Sequence, residues 1–103
     1  MVSEQGRERA ARAKIEVSGG PERFTVRVDD GHAQTEHRVQ VTPEEAERFA
    51  PPGVPLDRLL EASFRFLLER EPAQSILAEF SLSTIERYFP EYGVEIRKRL
   101  GGS

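Results

Sequence analysis

Apolar and polar residues alternate one by one in three short segments between Lys14 and Val41. Strict alternation predicts strands with one buried face, because successive side chains of a strand point to opposite sides of the sheet. Asp30-Gly31 separates the second segment from the third and is a strong signal for a tight turn. We therefore predict an antiparallel β-meander of two or three strands, whose apolar side must be covered by other elements.

The turn also predicts how the second and third segments pair. If Asp30-Gly31 forms a two-residue loop, Phe24 lies opposite His37 and Val26 lies opposite Thr35. The apolar side chains of both strands then share one face. A shift of one residue would mix the two faces, so we predict the two-residue loop.

The second half of the chain has helical spacing instead. Thr42-Pro-Glu-Glu45 carries a capping threonine, a proline at the first helical position and a glutamate three residues after the cap. We expect this helix to end near Ala50, because Pro51-Pro52 cannot continue it. The next helix, Leu56–Arg70, has so broad an apolar stripe that it must be buried on two sides. One side faces the sheet, and the other faces either the C-terminal helices or a partner subunit.

Two more short helices are predicted after Glu71-Pro72. The first runs from Pro72 to about Phe80, and the second is capped by Ser81 or Ser83, with Ser83-Thr-Ile-Glu86 as a capping box. Pro90 then ends that helix or begins a final turn. The predicted fold class is α+β, with a two- or three-stranded antiparallel meander followed by three or four short helices packed on its apolar face.

The length of 103 residues predicts one small domain. We expect residues 1–12 to form a disordered tail, because they are charged and show no apolar periodicity. Residues 13–97 then form the domain, and residues 98–103 form a frayed, basic C-terminus.

Composition excludes several kinds of chemistry. The chain has no cysteine, which rules out disulfides, thiolate metal ligands and a thiol nucleophile. A net charge of −3 disfavours non-specific binding to nucleic acid or to an anionic membrane. The first residues lack the apolar segment of a signal peptide, and no apolar run approaches the roughly 20 residues that span a bilayer. We therefore expect a cytoplasmic protein that is not associated with a membrane.

The two histidines do not suggest a catalytic or metal site. His32 and His37 are five residues apart on one strand, so their side chains point to opposite faces. The alternation predicts a half-buried His37 and an exposed His32. No glycine-rich phosphate loop or nucleophile motif accompanies them. We expect no cofactor and no enzymatic activity.

One part of the chain, residues 37–70, resembles the ribbon-helix-helix regulators, which include many antitoxins. The resemblance rests on His37-Arg-Val-Gln-Val-Thr-Pro-Glu-Glu45, then a turn with Gly53 and the helix of Leu56–Arg70. It implies an obligate dimer whose paired strands enter the major groove of DNA, with Arg38 and Gln40 contacting bases. The chain departs from that family in its short first helix and in the predicted in-chain partner of the strand.

The last third of the chain carries an aromatic cluster. Within residues 76–92, Ile85-Glu-Arg-Tyr-Phe-Pro-Glu-Tyr92 resembles the C-terminal end of small bacterial proteins with no assigned role, which implies a family but no activity. The aromatic residues can pack on the Leu56–Leu67 helix, which we favour in so small a domain, or form a docking patch. Phe89 is the member that we expect to be buried, and Tyr92 the one that we expect to be exposed.

We conclude from the sequence that the chain is a non-enzymatic interaction module, which binds a protein partner or a second copy of itself. The candidate contact residues are Phe66, Tyr88, Pro90 and Tyr92. The alternative is a dimeric DNA-binding regulator of the ribbon-helix-helix type, although the net charge makes a nucleic-acid partner the less favoured one.

Overall fold

A computed structural model describes residues 4–101 of the chain. The α+β fold class is confirmed. The elements in chain order are α1 (Glu4–Arg12), β1 (Lys14–Gly19), β2 (Arg23–Asp29), β3 (Gln34–Gln40), α2 (Pro43–Phe49), α3 (Leu56–Arg70), a 3-10 turn (Ala73–Ser75), β4 (Glu79–Ser81), α4 (Leu82–Tyr88) and α5 (Tyr92–Arg99).

The sheet has four strands in the order β1-β2-β3-β4. The first three strands form the predicted antiparallel meander, but β4 joins the free edge of β3 in parallel. The prediction of a helix from Pro72 to Phe80 was wrong. Only a 3-10 turn forms in its first half, and the Ala78 carbonyl then accepts a hydrogen bond of 2.8 Å from the backbone N–H of Arg38. Pairing with β3 satisfies backbone groups that an isolated helical turn would leave open.

The register of the β2–β3 hairpin differs from the prediction by two residues. Val26 lies opposite His37 and Phe24 opposite Val39, with a four-residue loop closed by a hydrogen bond from Asp30 N–H to the Ala33 carbonyl. A shift of two residues keeps every side chain on its face, so the apolar pattern cannot distinguish the two registers.

The N-terminal segment forms a helix, in contrast to the predicted disordered tail of residues 1–12. Gly6 and Ala10 are buried, and Arg9 Nε donates to the Leu68 carbonyl at 2.8 Å. Arg65 reaches back from α3 and donates to the Ala10 carbonyl. Small residues thus let α1 approach α3 closely, and arginines fix it there. Residues 1–3 lie outside the described part of the chain.

The C-terminus is also more regular than expected. Helix α5 continues through Arg99, and Leu100 is buried. Residues 98–100 are therefore ordered, in contrast to the predicted frayed terminus. Residues 102–103 lie outside the described part.

Helix α3 forms the centre of the core. Its buried side chains occupy two sides of the helix, as predicted, and the helix packs against β1, α1 and α5. The second surface of α3 is therefore provided by helices of the same chain. The opposite face of the sheet carries exposed polar residues.

Candidate interaction surface

Tyr92 lies inside the core, in contrast to the predicted exposed position. Its side chain has 0% exposure, and its ring packs against Phe49 and Phe66 at centroid distances of 4.9 and 5.3 Å. Its hydroxyl lies 2.6 Å from Ser63 Oγ, whose own proton is donated to the Leu59 carbonyl at 2.7 Å. Tyr92 is therefore the donor to Ser63. Burial raises the pKa of Tyr92 well above its ordinary value, which keeps this donor proton in place.

Phe66 is also enclosed and offers no surface to a partner. It has 0% exposure, and the guanidinium of Arg70 lies 3.6 Å from the centre of its ring. Phe89 packs against its edge at 5.9 Å. Both Phe66 and Tyr92 therefore stabilise the junction of α3 and α5, as expected if the aromatic cluster packs on the Leu56–Leu67 helix.

The other two predicted contact residues are at the surface. Tyr88 is 67% exposed at the end of α4, and Pro90 is exposed in the turn that separates α4 from α5. Phe89, the residue that we expected to be buried, is only half-buried. The turn after α4 sends Tyr92 inward and leaves Tyr88 outside.

Tyr88 borders a small depression that we call the apolar notch. Its volume is about 30 Å³, and its lining residues are Leu67, Glu71, Ile76, Leu77, Phe80, Thr84, Ile85, Tyr88 and Phe89. Leu77, which precedes β4, is 47% exposed and lines the same depression. The notch therefore combines two of the three large apolar side chains that are exposed in residues 4–101, the third being Val94.

The sequence analysis missed Leu77 as a surface residue. We predicted a helix from Pro72 to about Phe80, whereas residues 76–78 are not helical, and Ile76 is buried while Leu77 is exposed. A run of two apolar residues before a strand cannot bury both, because neighbours in an extended chain point to opposite sides.

Both walls of the notch are held by buried polar groups. On one wall, His37 Nδ1 lies 2.7 Å from the Leu77 carbonyl, which can only accept, so Nδ1 is the protonated nitrogen. His37 Nε2 then accepts from the Thr35 hydroxyl at 2.8 Å. His37 is fully buried, rather than half-buried as predicted, and burial lowers its pKa.

On the other wall, a carboxylate from α2 caps α4. Glu45 accepts from Thr42 N–H at 2.9 Å, as the predicted capping box requires, and also from Ser83 N–H at 2.8 Å and the Ser83 hydroxyl. The predicted capping box of Ser83 and Glu86 does not form, since Ser81 is the N-cap and Glu86 pairs with Arg48. Burial alone would raise the pKa of Glu45, but these hydrogen bonds outweigh it and lower the pKa.

Glu71 is the one ionisable side chain with a shifted pKa that lines the notch. It is half-buried at the C-terminal end of α3, and burial raises its pKa, although Arg9 opposes the shift. A carboxylate in this position is incompletely compensated, so a positive charge that entered the notch would stabilise its ionised form.

The open face of the sheet carries the residues of the alternative prediction. Arg38 and Gln40 are exposed on β3, but β3 pairs with β2 on one side and with β4 on the other. Strand β4 occupies the outer edge of β3 at residues 38–40, so the two residues of the alternative prediction are not free to form the paired ribbon that the ribbon-helix-helix resemblance implies.

Charges on this open face balance one another. Its basic residues are Lys14, Arg23, Arg27 and Arg38, and its acidic residues are Glu16, Asp29, Glu36 and Glu79. Arg27 and Glu36 lie opposite each other with a contact of 3.5 Å. A face with equal numbers of opposite charges lacks the basic surplus that provides affinity for phosphate backbones.

The buried titratable groups have structural partners. Asp30 Oδ1 accepts from the N–H groups of His32 and Ala33, and Oδ2 accepts from Ala73 N–H at 3.0 Å. Burial would raise the pKa of Asp30, but these three bonds lower it. Asp30 thus joins the hairpin loop to the 3-10 turn. Within residues 4–101, no group of three or more potential ligands is placed to hold a metal ion.

The chain matches no protein-family model, and no curated protein or solved structure is significantly similar to it. Among the helices of residues 4–101, none combines the length and apolar character needed to cross a membrane.

Proposed function

We propose that the chain is a non-enzymatic protein-interaction module, acting in the cytoplasm, which binds a partner protein through the apolar notch. The observation that carries the proposal is that Leu77 and Tyr88, both exposed, line one depression. Tyrosine is one of the residue types that contribute most of the binding energy at the central contacts of protein interfaces.

The size of the notch determines what can enter it. A volume of about 30 Å³ is far below that of small-molecule sites, which typically occupy about 300–1,000 Å³. One protruding side chain of a partner fits better than a free ligand. The surrounding exposed surface of Tyr88 and Leu77 would then cover the stem of that side chain.

The charge of the notch favours a basic side chain. Glu71 is half-buried, and the exposed Tyr88, which lines the same notch, has an aromatic face that can bind a cation. An arginine or lysine of the partner would lay its aliphatic stem against Leu77 and its charge near Glu71. The proposed occupant is therefore an arginine or lysine side chain presented by another protein.

A titration of the ¹⁵N-labelled protein with three capped peptides tests this chemistry. The peptides are acetyl-Ala-Arg-Ala-amide and its analogues with Leu or Glu at the centre. We expect the Arg peptide to shift the amide signals of Leu77, Thr84 and Tyr88 most strongly and the Glu peptide least. The Tyr88→Ser and Glu71→Gln variants should weaken the response, whereas Val94→Ser, which changes an exposed apolar residue elsewhere, should not.

The outcome that contradicts the proposal is equally specific. If the Arg peptide shifts signals over the whole surface of the protein, or if Tyr88→Ser responds as the unchanged protein does, the notch is not the binding surface. An equal response to the Arg and Glu peptides would exclude the proposed role of Glu71.

A further inference from the structure

Strand β1 forms one edge of the sheet, and its outer edge has no partner among the described residues. It spans Lys14–Gly19, twice the length of β4 at the other edge. Ile15 and Val17 point to the helical side of the sheet but are only half-buried, whereas Phe24, Val26 and Val28 of β2 are buried there. A regular edge strand with a partly exposed apolar side is a template for pairing with another strand.

The hydrogen bonds show which residues of β1 face outward. Gly20 N–H donates to the Arg23 carbonyl at 2.7 Å, so this pair is hydrogen-bonded. Pairs in an antiparallel ladder alternate, so Lys14, Glu16 and Ser18 bond to β2. The backbone groups of Ile15 and Val17 therefore point away from the sheet.

An antiparallel pairing of β1 with its own copy must place outward-facing residues in hydrogen-bonded positions. A two-fold axis at Ile15 pairs Ile15 with itself, so that the two strands overlap at residues 14–16. Beyond this overlap, Val17 N–H can donate to the Ala13 carbonyl of the other copy, but Ala13 N–H already donates to the Arg9 carbonyl. Lys14 and Glu16 then lie opposite each other twice, in the non-hydrogen-bonded positions where side chains approach most closely. An axis at Glu16 would instead place the two copies of Glu16 opposite each other, so that like charges repel. An axis at Val17 would place Glu16 opposite Ser18, which provides no opposite charge.

We propose that two copies of the chain associate through antiparallel pairing of their β1 strands around Ile15, which joins two sheets into one of eight strands. The charge pattern of the strand selects this occupant, because Lys14 and Glu16 complement the same residues of a second copy. The half-exposed side chains of Ile15 and Val17 are covered in the pair. This surface is separate from the apolar notch, so the two proposals can fail independently.

The absence of cysteine from the sequence allows a direct test of the register. Three variants, Ile15→Cys, Glu16→Cys and Val17→Cys, are oxidised mildly and analysed for disulfide-linked dimers. Only a residue on the two-fold axis meets its own copy, at the roughly 5.5 Å between Cα atoms that a disulfide can bridge. We expect a link from the Ile15→Cys variant. Preferential linking at position 16 or 17 overturns the proposed register.

Charge reversal, followed by light scattering on a sizing column, tests the pairing in the cysteine-free protein. Lys14→Glu or Glu16→Lys alone should weaken dimerisation by about tenfold or more, because each opposes like charges twice. The double variant should restore the dimer. Within each chain, the double variant places like charges opposite each other, at position 14 against Asp29 and at position 16 against Arg27. The double variant therefore does not repair the pairing of β1 with β2, and a recovered dimer cannot be explained by a recovered monomer stability. The proposal is overturned if the unchanged protein is a monomer at near-millimolar concentration, or if the double variant does not recover the dimer.

Discussion

The hydroxyl of Tyr92 donates its proton to Ser63, and Ser63 donates its own proton to the carbonyl of Leu59. Both side chains are completely buried between α3 and α5. Because of the direction of the two hydrogen bonds, removing one hydroxyl has a different consequence from removing the other. Ser63 keeps a partner when the tyrosine hydroxyl is removed, but the Tyr92 hydroxyl loses its acceptor when the serine hydroxyl is removed.

This asymmetry predicts different costs for two small deletions. Tyr92→Phe should reduce the free energy of unfolding by about 1 kcal/mol, the net value of one hydrogen bond. Ser63→Ala leaves a hydroxyl buried without a partner and should cost more, about 1–3 kcal/mol. Urea denaturation of both variants and of the double variant measures the difference. Ser63→Ala should cost less when it is combined with Tyr92→Phe, and equal costs in both backgrounds would contradict the assigned direction.

The hydrogen bonds of Glu45 lead to a second prediction about the stability of the fold. Its carboxylate receives hydrogen bonds from the first turn of α2 and from the first turn of α4, and an amide cannot accept all of them. Glu45→Gln should therefore lower the free energy of unfolding by about 1–3 kcal/mol. The control is Glu44→Gln, an exposed neighbour in the same helical turn, which should change stability by less than about 0.5 kcal/mol. If the two variants were equally stable, α4 would not depend on this cap.

The pH dependence of stability should carry a signature of His37. Burial lowers its pKa in the folded protein below the ordinary value of 6.5. As the pH falls below that value, the unfolded chain binds a proton that the folded protein does not, so the stabilisation present at higher pH is lost. We expect the melting temperature to fall between about pH 7 and pH 5.5.

Two histidine variants separate the contribution of His37 to the pH dependence of stability from that of the other titratable groups. His37→Gln should flatten the slope of melting temperature against pH, and His32→Gln, which changes the exposed histidine, should preserve it. Glu71 acts in the opposite direction, because its folded pKa is raised and protonation favours the folded state. It is present in all three proteins and cancels in the comparison. An unchanged slope in His37→Gln would assign the pH dependence to another group.

Much of the fold follows from local patterns. The alternation between Lys14 and Val41 predicted the meander, and the helix of Leu56–Arg70 was predicted with the bounds that the structure has. The start of α2 was also predicted, because Thr42 and Glu45 form a capping box whose two bonds are local. Such signals act over a few residues, so tertiary contacts need not be known.

Other elements depend on contacts that are distant in sequence. Strand β4 has three residues, too few for an alternating pattern to be visible. It pairs with the edge of β3 that faces away from β2, a contact between segments that are distant in sequence. Helix α1 shows no apolar stripe, since its contacts with α3 use small residues and arginine side chains. The hairpin register depends on the Asp30 carboxylate, which closes a longer loop that the apolar pattern also permits.

The candidate surface was only partly predictable for a similar reason. Tyr88 and Tyr92 are four residues apart, and both fit a core or a surface position. The turn at Pro90 decides which of them enters the core, and its direction depends on how α5 packs against α3. Sequence reasoning therefore identified the aromatic segment but assigned the exposed position to the wrong tyrosine.

A comparison of partner binding by the unchanged protein and by Tyr88→Ser, Leu77→Ser and Val94→Ser tests the central claim most directly. Each protein is immobilised at equal density and exposed to the same cell extract, and a retained protein is then purified and its Kd measured for all four. The account predicts a partner that binds the unchanged protein and Val94→Ser equally and binds both notch variants at least about tenfold more weakly, the loss expected when a central contact is truncated. Equal affinity for all four proteins would contradict the assignment of the apolar notch as the binding surface.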